Sequence, residues 1–457
     1  MKTCFRIPLR VATAALTALL IPIHAADPAG YIVHEWGTFT SVQGGDGVPL
    51  NWHGAETGEL PGFVYSSQRP GLDRVSSNPW GVATKGLFPA LQRMETPVIY
   101  FYADAPLRAE VTVRFPRGFI TEWFPQALEI GPSTTKPDSL LTLLDQVAGR
   151  IGAQPKPSLV ERFGDRPITN SLIRWSNVHV LPGNQDADLE RRFPVADTAN
   201  HYFAARATEA AVLRVDPLEK AVPSPEHERF LFYRGVGSFP APLKASPGDG
   251  EEILLANQGA APLTHLFALS VQRDQAVFQK LDQLDPSEAR ALRLDPAAQG
   301  LPLCEVVKEI SRLMVDGLVG EGLYRAEAEA MVNTWRDSWF EEQGLRILYV
   351  LPRVWTDQIL PIELNPRPRE LVRVMVGRAE LITPRIELEI LSCPARGRLV
   401  PIASRARDRV HDRAPHAGDA VEERRLADVR AAHDGHLGES FLWHIFLLFY
   451  YFQAHRV

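Results

Sequence analysis

Cysteine is scarce in this chain. There are three in 457 residues, and Cys4 precedes the first apolar run. A disulfide framework is therefore excluded as the basis of the fold. Cys304 and Cys393 leave room for one bridge in an oxidising compartment, and equally for two unpaired small hydrophobes. Basic blocks are missing before the tail and the formal charge is -6, which speaks against a nucleic-acid binder. Beyond the N-terminal region no apolar run is long enough to span a bilayer; even Phe441–Phe452 is too short. The motifs that announce a reaction are absent as well: no His-Glu-x-x-His, Gly-x-Ser-x-Gly, P-loop, Cys-x-x-Cys or Gly-x-Gly-x-x-Gly. Gly235-Val236-Gly237 reads as a turn, and no solenoid or propeller repeat is found.

What is present begins with an export signal. Lys2, Arg6 and Arg10 form a positive region, Val11 to Ile23 an apolar one, and Ile23-His24-Ala25 a small-residue cleavage site. This pattern predicts a cleaved Sec-type leader at 1–25 and a periplasmic or extracellular protein with no membrane span after cleavage.

The 37 prolines often flank strand-like runs, as at Thr96-Pro97, Phe115-Pro116 and Phe124-Pro125. Short strands joined by turns fit that spacing better than long helices. Ile32–Val42 ends in Gly44-Gly45-Asp46-Gly47, a strong turn signal. Pro97–Tyr102 and Ala109–Phe115 read as a hairpin, the second with clean alternation of Val111, Val113 and Phe115. Further strands are expected at Leu172–Leu181, His201–Leu213 and Glu228–Tyr233, and a hairpin of Ile253–Asn257 with Leu263–Val271. Leu140, Leu143, Leu144, Val147 and Ile151 have helical spacing, as do Val306, Val307, Ile310, Leu313 and Met314. Leu323, Ala326, Ala330, Met331, Thr334, Trp335 and Trp339 form another such stripe, separated from the preceding one by Gly317, Gly320 and Gly322.

The expected fold is mainly β, a sandwich-like body with an inserted helical hairpin, α+β overall. The β-rich domain covers 26–271 with a helical excursion near 138–152. A helical subdomain follows at 272–342, and strands at 343–390 return to the β body. Residues 391–457 are set apart as a non-globular tail: Leu391 to Ser440 is rich in arginine, alanine and histidine and contains no lysine or aromatic residue. Two readings stand for this tail, a solvated basic extension ending in an apolar plug, and translation out of frame of a GC-rich gene.

Two constellations could carry chemistry. Glu35 and Glu122 each stand beside a tryptophan, Trp36 and Trp123. Two carboxylates at a set separation are the acid and base of glycoside hydrolysis, and aromatic rings make sugar platforms. The plainer alternative is that each pair splits across the strand, one buried ring and one solvated charge. His34, His179 and His201 are candidate ligands for a divalent metal such as zinc or calcium, gathered from separate strands with carboxylates completing the set. Their plainer alternative is ordinary surface or hydrogen-bonded histidine. Glu226-His227-Glu228 reads as a solvated strand start. Within His34-Glu35-Trp36, strand geometry sends Glu35 to the side opposite its neighbours.

The runs His34–Val42, Arg93–Tyr102 and Thr121–Pro125 resemble a group of secreted bacterial proteins that share a His-Glu-Trp-Gly-Thr-Phe-Thr-Ser-Val type motif. Phe230–Gly237 and Thr334–Phe340 are similar to that group too, so the resemblance spans about 31 to 390 and excludes the tail. It implies export, with no activity attached. Two functions of different class follow. One is an extracytoplasmic hydrolase, metal- or carboxylate-dependent, acting on glycans or another envelope polymer. The other is a non-catalytic binding or cell-envelope assembly protein. The enzyme requires His34 or Glu35 to meet Glu122, His179 or His201 in one pocket.

Overall fold

The computed structural model describes residues 29–51, 60–66, 90–131, 170–182, 187–195, 200–216, 224–248, 250–383 and 386. The leader, the helix expected at 138–152, Cys393, the strand expected after Ile386 and the tail lie outside them.

The strands, in order, are β1 (Ala29–Gln43), β2 (Tyr65–Ser66), β3 (Gln92–Ala103), β4 (Leu107–Phe115), β5 (Gly118–Phe124), β6 (Glu129–Gly131) and β7 (Ser171–Leu181). Then come β8 (Val212–Val215), β9 (Glu226–Glu228), β10 (Leu231–Gly237), β11 (Leu243–Pro247), β12 (Glu252–Asn257), β13 (Leu263–Gln272) and β14 (Gln275–Leu284). The last are β15 (Ala289–Arg293), β16 (Leu301–Pro302), β17 (Gly344–Leu351), β18 (Ile362–Asn365) and β19 (Pro368–Leu381). The longer helices are α1 (Leu303–Gly320), α2 (Arg325–Arg336) and α3 (Arg353–Ile359).

Three sheets result, and the fold is mainly β with an α+β character. The largest has ten strands in the order β16-β14-β13-β17-β19-β1-β3-β10-β5-β2. β1 lies near its middle, parallel to β19 and antiparallel to β3. A second sheet runs β18-β4-β7-β8-β9, with β6 added beside β7, and a third β11-β12-β15.

The large sheet is covered on both sides, which explains why β1 alternates only loosely. From Val33 to Gln43 every residue of β1 is buried, and a strand buried on both faces needs no polar side. On one face, His34 and Tyr102 meet α2 through Glu327. On the other, Tyr233 of β10 meets Trp175 of β7, and Phe39 of β1 meets Trp355 of α3. The layers are thus helices, ten-stranded sheet, and second sheet with α3. The third sheet is tied on by the Gln43 side chain, which donates to the Leu243 carbonyl (3.1 Å) and accepts from the Ala245 amide (2.7 Å).

Of the late strands, β17 and β19 sit in the middle of the large sheet. The helical pair is inserted between strands of that same sheet, with Val306, Val307, Ile310 and Met314 buried on α1. Five details differ. Gly235-Val236-Gly237 is not a turn but the end of β10, paired with β3 and β5. Helix does not begin at 272: β14, β15 and β16 occupy most of 275–302. The two expected hairpins do not form, because β3 pairs with β1 and β10 while β4 pairs with β7 and β18. Likewise β12 pairs with β11 and β15, not β13. His201–Arg206 is a 3-10 helix capped by the Asn200 side chain, and strand starts only at Val212. Gly317 does not break its helix; its missing side chain admits the His265 ring, which a Cβ there would approach to 2.9 Å.

Candidate functional site

The residues singled out by sequence go to separate places. His34 points to the helical side, buried, its Nδ1 2.7 Å from Glu327 Oε2. The same carboxylate accepts from the Tyr324 amide and from the Tyr102 hydroxyl, each at 2.8 Å. The His34 ring lies 4.5 Å from Tyr324 and 5.3 Å from Tyr102, centroid to centroid. Glu327 therefore caps the start of α2 and clamps it to β1 and β3.

Glu35 points to the opposite side, as strand geometry requires. It accepts from the Tyr233 hydroxyl and from Arg373 Nε, both at 2.5 Å, and Arg373 Nη1 reaches Asp357 of α3 at 2.7 Å. Burial, and then the Glu35 charge, push the Tyr233 hydroxyl well above its ordinary pKa, so it stays a donor. Burial opposes the Arg373 cation, but Glu35 and Tyr233 outweigh it and raise its pKa.

Glu122 is paired with Arg234 at 2.6 Å and accepts from Thr121 at 2.5 Å. Arg234 and Tyr233 are consecutive on β10, opposite Glu122 and Trp123 of β5. Consecutive strand residues face opposite ways. Glu35 and Glu122 consequently lie on opposite faces of one sheet, and the expected acid/base pair is overturned.

The expected metal triad is overturned too. His34 is in the helical layer, His179 is on β7 of the second sheet, and His201 starts the 3-10 helix. His179 Nε2 is 3.1 Å from Asp216. Among the described residues no three His, Cys, Asp or Glu side chains converge well enough to hold a metal ion. Trp52 and His53 lie outside the described residues.

What sequence reading missed is a charged cluster on the helical side, built around a bulge. The register of β3 against β1 shifts between Val98, opposite Trp36, and Glu95, opposite Thr38. A one-residue slip reverses which face every later side chain takes. Without it, Arg93 and Glu95 would point into the dry space between the sheets. With it, Arg93 and Glu95 join (2.5 Å) beside Thr40, which donates to Glu95 at 2.8 Å. Arg234 of β10 with Glu122 of β5 joins from the same face, in register with Phe232 and Phe124. From β19 and β17 come Arg378, Glu380 and Arg346, with Glu342 2.7 Å from Arg378.

The bulge is held by a close approach. A Cβ on Gly37 would come within 2.9 Å of the Pro97 Cα. Thr96 between Glu95 and Pro97 has φ 42°, an outlier for a β-branched residue. Its hydroxyl is buried with no hydrogen-bond partner. Such strain marks positions the surrounding structure holds for a purpose. The available signal was Thr-Pro inside a strand, facing a glycine in the other motif.

Burial lowers the Arg93 pKa to about 10; Glu95 opposes the shift, while Arg234 and Arg378 add to it. Burial also brings Arg234 to about 10, again against Glu95. Protein surrounds much of the His201 ring, although one side keeps solvent contact. Loss of water lowers its pKa, Glu95 and Asp337 oppose, and Arg234 and Arg93 reinforce. Its ring lies 5.7 Å from that of Trp335. The four arginines and the carboxylates Glu95, Glu122, Glu342 and Glu380 balance, so the cluster is a neutral, polar patch of core with His201 at its rim.

No family model and no curated protein matches the chain. Among solved structures it is similar to the Mu homology domain of Fcho1 from Danio rerio with bound Eps15 peptide. The identity is 9%, the match covers 78% of this chain and 99% of that one, and the TM-score is 0.28. At that score the likeness bears on neither fold nor function.

Proposed function

We propose that this protein is a non-catalytic binding or cell-envelope assembly protein, exported through its leader, whose ligand is a glycan or another envelope polymer. The observation that supports this reading is how His34, Glu35 and Glu122 are employed. Each is buried against a partner, His34 hydrogen-bonded to Glu327 and the two carboxylates paired with arginine, two on one face of the sheet and the third on the other. A glycosidase needs both carboxyls to flank one bond, at roughly 5–9.5 Å. Here Glu35 fastens β1 to β10, β19 and α3, and Glu122 fastens β5 to β10. They are cross-links between layers and strands.

The test is to incubate the mature protein with neutral and acidic polysaccharides, measuring retention on the polymer and release of reducing ends. Retention without release is expected. Release that disappears in Glu35→Gln or Glu122→Gln, with melting temperature unchanged, overturns the reading. The strained Thr96 favours a second reading, in which Glu95 and His201 act on a ligand at the rim of the charged cluster. Release lost in Glu95→Gln and His201→Gln, but not in Glu35→Gln, would select it.

A further inference from the structure

The outer face of the second sheet carries a row of arginine and histidine side chains. Arg108 of β4 stands opposite His179 of β7, His179 opposite Arg214 of β8, and Arg214 opposite His227 of β9. Directly opposed residues project to the same side. Their neighbours Ala109, Val178, Val215 and Leu213 are buried, so the row faces away from the core. Arg192 adds a further positive charge against His227. Asp216 takes both Arg214 (2.8 Å) and His179 (3.1 Å). Asp216 thus offsets the Arg214 charge, and Arg108 and Arg192 stand beyond it.

Elsewhere on this face charge is matched among the described residues. Arg174 pairs with Glu110 at 2.7 Å and Arg114 with Glu363 at 3.3 Å. Arg108 and Arg192 are exposed, while His179 and Arg214 are half-buried. His227, at the inner end, is 4% exposed.

Resting on the binding function above, we propose that the row Arg108–His179–Arg214, with Arg192 beyond its end, binds a linear acidic polysaccharide laid across the strands. Adjacent strands are about 4.8 Å apart, so the three residues in register span roughly 10 Å. A sugar chain with one carboxylate per residue repeats its charge on that scale. A row of charges strung across strands suits a polymer better than a small anion, which would need a concave pocket. The chain as a whole carries -6, so bulk charge repels a polyanion and attraction must come from a local surface.

The experiment titrates the full mature protein with polygalacturonate at low salt, with dextran as the neutral polymer. Saturable binding of polygalacturonate but not dextran is expected, weakening as salt rises. Arg108→Glu combined with Arg192→Glu should weaken it roughly tenfold. Lys280→Glu, an equal change per site on the exposed edge of β14, should leave it unchanged. Both variants alter exposed side chains, and unchanged melting temperatures verify that each folds. Absence of polygalacturonate binding overturns the proposal. So does binding that the row variant leaves intact or that Lys280→Glu weakens equally; the binding function then stands with another surface. Release of reducing ends by the wild type overturns the function itself.

Discussion

Removing Arg373 leaves the Glu35 carboxylate buried with one hydrogen-bond donor, Tyr233. Breaking a buried pair by deleting one partner costs about 3–5 kcal/mol, because the other charge stays buried. Arg373→Met should therefore lower the melting temperature by on the order of 10 °C, at about 2–4 °C per kcal/mol for a domain of this size. Glu35→Leu with Arg373→Met removes both charges and should recover most of the loss, since paired replacement by apolar groups is often neutral. Urea unfolding of the singles and the double measures the coupling. A cost under about 1 kcal/mol for Arg373→Met, far below the 3–5 expected for a buried pair, would refute the cross-link, as would a loss in the double equal to the sum of the singles.

Other expectations concern single positions. Gly37→Ala should cost about 1–3 kcal/mol by overpacking, because the new Cβ meets Pro97 backbone at 2.9 Å; thermal melting reads it. Thr96→Gly should raise the melting temperature, since glycine accepts φ 42° without strain and removes an unpaired hydroxyl; a drop would mean that the threonine is not strained. His227 has a lowered pKa, chiefly through burial and then Arg192, so the folded state favours the neutral ring. Stability is complete above about 6.5 and is lost as pH falls through the lower folded pKa; His227→Gln should flatten that slope in pH-dependent melts. Glu228 has a raised pKa because burial outweighs its bonds to Arg206, the Arg229 amide and Tyr202. Stability should fall as pH rises from 4.5 through the folded pKa, and Glu228→Gln should abolish that component.

The resemblance motifs were legible, but not the job they do. Gly37 and Pro97 lie in two different runs, and only their contact shows why both are there. His34, Glu35 and Glu122 looked like chemistry because buried charged residues are uncommon, and sequence does not show the partner that neutralises each. Glu327 sits far along the chain from His34, as does Arg373 from Glu35. Local pattern carried no sign of either. Hairpins were misread for a related reason. Successive strands usually pair, yet β3 and β4 enter different sheets, and a turn sequence does not say which sheet the next strand joins. The amphipathic helices were read well because their buried stripe follows from a period of 3.6 residues, a local property.

Local composition and periodicity by themselves determined the mainly β character, the helical pair α1–α2, and the split of Glu35 from His34 and Trp36. Each depends on short-range geometry, the alternation of a strand or the turn of a helix. Only the tertiary structure decided that β1 runs parallel to β19, that a bulge at Thr96 turns Arg93 and Glu95 towards the helices, and that arginine and histidine side chains from β4, β7, β8 and β9 fall into one row. Those outcomes depend on register between segments distant in sequence, where a shift of one residue exchanges the two faces of a strand.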